Sequence, residues 1–282
     1  MNKNNSDALL SLLKDPDSAT FEAIADSLTL DVNTLEGLWR QADDKISLAR
    51  LDWLIHRARL KNLLKGFSEW RKNKSDILEV ACLIASYQYP DLVFAEIEDA
   101  VSGIVKDVWL ELHDDMTPRE QIEVINRILF DKHGMQSDNK LWPDFSNLLI
   151  NNILHFKKGS HLGLAILYIS VAQKLSLPIF SVPSLRVFSL AYVNDQPLGG
   201  NVVFYIDQFN RGAIFDATDA KKFFIKEMGF PYSEDHIQPC SNEIVIHLLV
   251  EQIKLLYEIK GMKNQVRDME ELISVFNDSK IQ

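Results

Sequence analysis

Residues 162–175 limit most strongly what this chain can fold into. They read as a helix, and their fourteen residues carry one charge, at Lys174. A helix that is apolar all round has to be covered all round, so it belongs inside a domain. Pro178 ends it. Three runs rich in β-branched and aromatic residues follow, at 179–182, 186–193 and 201–208, with residues 194–200 as a hairpin loop between the last two. A short strand is expected at 213–215. Strands in this order, joined by short loops, predict an antiparallel sheet with the apolar helix against one face.

Upstream, residues 1–133 read as helix after helix. Ser6 and Asp7 can cap residues 8–14, and Asp15-Pro16-Asp17-Ser18 turns the chain into a helix over 20–28. Helices over 31–41, 45–72, from 75–76 to Tyr89-Pro90, 92–112 and 117–133 complete the region. In the long segment 45–72, Ile46, Ala49, Trp53, Leu60, Leu63, Leu64 and Phe67 recur at helical spacing and predict a broad buried face, with Trp53 and Trp70 as core or inter-domain anchors. The first two short helices resemble one hairpin of a stacked helical repeat, but no second copy follows at a fixed period. Residues 143–158 predict one further helix, with Gly159 at a C-cap. Residues 242–275 are helical again, and Gly261 marks a helix–helix turn. The expectation is an α+β protein dominated by helix. Its parts are a helical N-terminal region (1–133), a core (134–235) and a C-terminal helical extension (236–282).

Composition excludes several classes. Apolar residues at 46% and charged residues at 25% describe a globular chain, not a disordered one. Thirty Lys and Arg against forty Asp and Glu leave a formal charge of −10, which opposes broad contact with nucleic acid. No run approaches the ~20 apolar residues of a membrane helix, so no membrane partner is expected. Cys82 and Cys240 cannot build a disulfide framework or a four-thiolate zinc site. The first residues lack a secretory core, and a reducing cytoplasm is the expected compartment. Phosphate loops, dinucleotide fingerprints, nucleophile elbows and His-Glu-x-x-His pairs are all absent, and no cofactor is expected.

Between residues 144 and 210 the order is more specific. Asp144, Asn147, Asn151, Leu154 and Lys157-Lys158-Gly159 precede Leu164-Ala165-Ile166-Leu167-Tyr168, Ala172-Gln173-Lys174-Leu175 and Leu177-Pro178. Phe188-Ser189-Leu190-Ala191-Tyr192 and Tyr205-Ile206-Asp207-Gln208-Phe209-Asn210 follow. This pattern resembles a bacterial branch of the transglutaminase-like superfamily, whose core is related to papain. Tyr87-Gln88-Tyr89-Pro90-Asp91-Leu92 and Pro239-Cys240-Ser241-Asn242 are similar to the Bacteroidetes-type members. The resemblance implies a transglutaminase-like core with its central helix against a small antiparallel sheet.

In catalytic members a Cys at the start of that helix attacks an acyl group, a His on the next strand activates it, and an Asp on the following strand orients the His. The helix N-terminus lowers the thiol pKa, and the imidazole needs a fixed tautomer. Carried onto this chain, the Cys position falls at His161, the His position at Val187 and the Asp position at Asp207. Valine accepts no proton. The resemblance therefore implies a vestigial site at His161, Val187 and Asp207, with no catalytic residue to name.

Other readings of the same residues stay open at this point. His161 is a base, metal ligand or anion donor, or a histidine that packs at the helix start; with Asp207 it supplies only two metal ligands, so no metal is expected. Asp207 is a retained ligand-binding group or an ordinary turn carboxylate. Cys240, before the N-cap residues Ser241-Asn242, is an activated thiolate or a structural thiol, with His236 its one sequence neighbour to test. Cys82, among Val80, Ala81, Leu83 and Ile84, belongs to the core. Residues 56–74 hold seven Lys or Arg against Glu69, a solvated face or a surface for an acidic partner.

The expected function is a non-catalytic, regulatory binding module that takes a protein or peptide. The alternative is a cysteine-dependent hydrolase or acyltransferase with a relocated set drawn from His161, Asp207 and Cys240.

Overall fold

The computed structural model describes residues 3–14, 21, 25, 31–73, 76–140, 144–183, 188–194, 201–216, 218–220, 222 and 238–277. Two compact units divide the chain, Met1–Gly66 and Phe67–Gln282.

In the first unit, α1 (Lys3–Leu13), α2 (Val32–Trp39) and most of α3 (Lys45–Asn73) enclose a small core of Leu13, Ala25, Leu35, Leu38, Leu51, Leu54 and Ile55. Asp31 caps α2 by accepting from Thr34 N at 2.9 Å. Lys14 pairs with Asp43 and Arg59 with Glu36, each at 2.8 Å. The helix expected over 20–28 lies outside the described residues, apart from Phe21 and Ala25.

The long helix α3 forms as expected and buries Leu63, Phe67 and Trp70 of the expected set, but its first half buries a different face. Its buried residues are Ser47, Leu51, Leu54, Ile55, Leu63, Phe67 and Trp70, whereas Ile46 and Trp53 are exposed. Apolar residues on α3 cover more than half of its circumference, so the spacing alone supports either stripe. The neighbouring helices decide, and they contact the row through Leu51 and Leu54. Trp53 is therefore a surface residue, while Trp70 is buried and donates its indole N–H to Asp76 O at 3.1 Å.

The second unit is built around α9 (His161–Lys174). Every residue from Leu162 to Ala172 is buried, as the lack of charge requires. Burying Leu, Ile or Val side chains contributes roughly 1.5–3 kcal/mol each, so α9 is the principal organising element. Against it pack α4 (Ile77–Gln88), α5 (Phe94–Trp109) and a four-stranded antiparallel sheet. The strands β3 (Ile179–Pro183), β4 (Phe188–Val193), β5 (Val202–Asp207) and β6 (Ala213–Phe215) lie in sequence order. Ser181 pairs with Leu190, and Leu190 with Ile206. Val203 on β5 points outward. The C-terminal hairpin is α10 (Asn242–Ile259) and α11 (Lys263–Asn277), joined through Gly261. No described helix is long and apolar enough to cross a membrane.

Two expected helices are interrupted. Residues 117–133 form α6 (Pro118–Asn126), opened by a capping box between Thr117 and Glu120, and then a π-turn, Arg127–Lys132. Widening the last turns lets Ile128, Leu129 and Phe130 all bury. Residues 143–158 form α7 (Phe145–Leu148) and α8 (Ile150–Phe156), separated by an extended Leu149. The break costs little because Leu149 N still donates to Phe145 O at 3.3 Å, Asn152 Nδ2 adds a second donor there at 2.8 Å, and Leu149 is itself buried. The residue that turns the chain after α8 is Lys157, at φ 57°, and not Gly159. Gly159 instead belongs to β2 (Lys158–Gly159), which pairs in parallel with β1 (Gln136–Ser137).

Candidate functional site

The start of α9 is fixed from below. Ser160 caps it by accepting from Gly163 N at 3.1 Å, and Ser160 N donates to Asn147 O at 2.7 Å. Gly163 is required by that approach: a Cβ there would lie 2.6 Å from Asn147 O. Asn147, buried, donates to Asp138 Oδ2 at 3.1 Å and accepts from Asp144 N at 2.9 Å. The β1–β2 pair and α7 thus set where the first turn of α9 points.

That first turn presents His161. Its ring lies flat against Phe209, with centroids 3.6 Å apart and planes 16° from parallel. Phe209 belongs to a 3-10 turn, Gln208–Asn210, that follows β5 directly. The turn is built by Asp207, whose Oδ1 accepts from Phe209 N and Asn210 N, each at 3.1 Å. Asp207 O accepts from Gly212 N at 2.9 Å, after Arg211 and Gly212 have both taken positive φ.

Gln208 joins the elements. It is fully buried, and its Nε2 donates to His161 O at 3.0 Å and to Phe188 O at 2.6 Å. One amide therefore ties the start of α9, the start of β4 and the end of β5 together. His161 and Asp207 are brought to one place by it. Val187, which precedes Phe188, lies outside the described residues, as do Arg186 and His236.

A second brace holds the loop after Asp207. Asn126 donates to Gly212 O at 2.7 Å and accepts from the hydroxyl of the buried Tyr168 at 2.9 Å. Arg211 pairs with Asp131 on the π-turn. Sequence reasoning missed Gln208, Asn126 and Tyr168. The available signal was a polar residue closing an apolar strand, or set inside an apolar helix, where burial demands a partner.

The cysteines stand elsewhere. Cys240 N donates to Ser181 O at 2.8 Å, so Cys240 sits on the outer edge of β3. From Cys240 the register runs through Ser181 and Leu190 to Ile206, the neighbour of Asp207. Three strand spacings separate them, about 14 Å at roughly 4.8 Å each. Burial pushes its thiol up to about 12, against a partial opposing effect of the Ser181 hydroxyl. Cys82 is buried in α4, and burial with nearby Asp76 and Glu98 pushes its thiol up to about 12 as well. Neither thiol is activated. Among the described residues no three His, Cys, Asp or Glu side chains gather as a metal site.

The site thus consists of a helix start that presents an imidazole, an aromatic ring laid over that imidazole, and a carboxylate engaged in its own turn.

The sequence of the chain is similar to those of known proteins. The family model of the transglutaminase-like superfamily (Transglut_core2) matches residues 95–250. A UPF0162 protein of Xylella fastidiosa is 22% identical over 186 residues, 64% of this chain and 64% of that protein. A UPF0162 protein of Vibrio cholerae is 24% identical over 160 residues, 55% of this chain and 56% of its own length. Mouse F-box only protein 21 is 23% identical over 185 residues, 57% of this chain and 30% of the mouse protein. The chain thus spans less than two thirds of the length of each of these relatives. No solved structure matches it.

Proposed function

The chain belongs to the transglutaminase-like superfamily, and from that membership we propose that it is a non-catalytic member, a binding or regulatory module that has kept the core and given up the acyl-transfer chemistry. One observation carries the reading. The first turn of the central helix, where the superfamily's nucleophile stands, holds His161 packed face to face on Phe209.

Three further points support it. Asp207 has a structural role that needs no catalytic partner, since it accepts two backbone N–H groups of its own turn. Both thiols are buried and held protonated. The separation of Cys240 from Asp207, about three strand spacings, speaks against the relocated set of His161, Asp207 and Cys240, since one imidazole would have to reach both the thiol and the carboxylate at ~3 Å. A protein or peptide is the kind of ligand proposed for the module.

The purified chain, incubated with a glutamine-containing peptide and a primary amine, should form no cross-linked product and release no ammonia above the blank. A thiol-directed covalent probe should leave the native protein unlabelled. Turnover that disappears in Asp207→Ala would overturn the reading.

A further inference from the structure

Helix α10 is apolar on two sides. Its inner side, from Val245 and Ile246 to Leu256 and Tyr257, is buried in the second unit. Its outer side carries Ile244, Leu248, Leu255 and Ile259, in steps of four, seven and four residues that keep to one stripe of the helix. Ile244 is 48% exposed, Leu255 40% and Ile259 64%, with Leu248 half-buried between them. Helices that are apolar all round are covered all round, and a contiguous apolar row on a protein surface marks a contact.

The row reads the same in both directions. Ile244 and Leu248 stand seven and three residues before Glu251, and Leu255 and Ile259 three and seven residues after Gln252. Turned end for end about the midpoint between Glu251 and Gln252, the row falls on itself, with Ile244 in the place of Ile259 and Leu248 in that of Leu255. A two-fold interface demands this self-complementarity, because one patch has to meet its own copy. The charged edge of the row has the same symmetry. Glu251 contacts His247 and Lys254 at 3.5 Å, and Glu258 contacts Lys254 at 3.9 Å. The half-turn sets Glu251 within two residues of the second copy's Lys254, and Glu258 within two of its His247. Those carboxylates are already engaged along their own helix, so the edge offers both signs to a second copy and the apolar row supplies the contact.

We propose that α10 joins two copies of this chain, packed antiparallel across a two-fold axis that passes between Glu251 and Gln252. A partner of unrelated sequence has no reason to match a palindrome, whereas a second copy matches it by construction. The row spans about 22 Å of helix. One helix face of that length is smaller than the interface of a permanent dimer, so the association is reversible, with a dissociation constant on the order of 1–100 μM.

Sedimentation velocity of the full chain, from about 1 to 300 μM, reads the association directly. The sedimentation coefficient should rise from that of a monomer to that of a dimer over this range. Ile259→Glu should weaken the dimer by about tenfold or more, whereas Leu110→Glu, at an equally exposed apolar residue beyond α5, should leave it unchanged. Both side chains are on the surface, so circular dichroism should show unchanged folding of the variants. The register has its own test. In an equal mixture of Ile244→Cys and Ile259→Cys, a short bismaleimide should link one variant to the other in preference to itself; the native Cys82 and Cys240 are buried. A chain that stays monomeric at about 300 μM overturns the proposal. So does a dimer that Ile259→Glu leaves intact, one that Leu110→Glu weakens as much, or preferential linking of like with like.

Discussion

The amide of Gln208 donates to the carbonyl oxygen of Phe188 at 2.6 Å, from a position with no exposure to solvent. The same nitrogen reaches His161 O. The start of α9, the start of β4 and the end of β5 are therefore joined by one side chain.

Gln208→Leu removes the donor from two carbonyls in a buried setting, and each unsatisfied group costs about 1–3 kcal/mol. Urea unfolding should show a loss of about 2–4 kcal/mol. Gln208→Glu should be less stable at pH 8 than at pH 5. A buried carboxyl facing carbonyl oxygens has its folded pKa raised, so its contribution is present while it is protonated and is lost as pH rises.

Gly212 and Asn126 form a tightly fitted pair. A Cβ on Gly212 would stand 1.8 Å from Asn126 Oδ1, and its φ of +73° disfavours any other residue. Gly212→Ala should therefore be strongly destabilising, by about 2–4 kcal/mol from combined clash and strain. Asn126→Ala loses its bonds to Tyr168 and Gly212 but opens that space. The double variant should be more stable than the sum of the single losses implies, read as a coupling of about 1 kcal/mol or more in a double-mutant cycle.

Lys157 closes α8 at φ 57°, a conformation in which a Cβ is strained, and its side chain is exposed. Lys157→Gly relieves that strain and should raise stability by roughly 0.5–1 kcal/mol in thermal or urea unfolding. An unchanged or lowered midpoint would show that Lys157 contributes through its side chain instead.

The thiols of Cys82 and Cys240 set an alkaline limit. Their ordinary value is 9.0, and burial raises each to about 12. Below pH 9 both states keep the protons and the contribution is complete. As pH rises from 9 towards 12, the unfolded chain releases protons that the folded chain holds, and stability falls. Each thiol contributes a slope of up to about 1.4 kcal/mol per pH unit in that window. Unfolding measured between pH 8 and 11 should fall less steeply in Cys82→Ala with Cys240→Ala. At pH 8 iodoacetamide should label the native protein only as fast as it unfolds.

Local chemistry made much of the fold legible before any tertiary contact was known. The run 162–175, with its single charge at Lys174, called for a covered helix, and it is buried from Leu162 to Ala172. Runs of β-branched and aromatic residues located β3 to β6 in their order, and the helix start expected at residue 117 has its capping box. Interrupted helices were not legible. Leu149 is extended, yet its N–H still reaches Phe145 O, and the amide of Asn152, three residues beyond Leu149, adds a second donor there in a geometry the break itself creates. His161 and Asp207 were named from the family's pattern, in which Gln208 also stands, but nothing in that pattern marked Gln208 as the side chain that ties the elements together.

By itself the sequence determined which segments are helix or strand, that α9 is central, and that the helix start carries imidazole and no thiol. These follow from side-chain polarity and backbone preference, which act over a few residues. Tertiary structure alone decided that α3 buries Leu51 and turns Trp53 outward, that Cys240 lies across the sheet from Asp207, and that Gln208 holds His161 and Phe188 together. Those outcomes depend on which of several sterically acceptable partners is present at a distant point of the chain, and a buried polar or amphipathic residue declares only that it needs one.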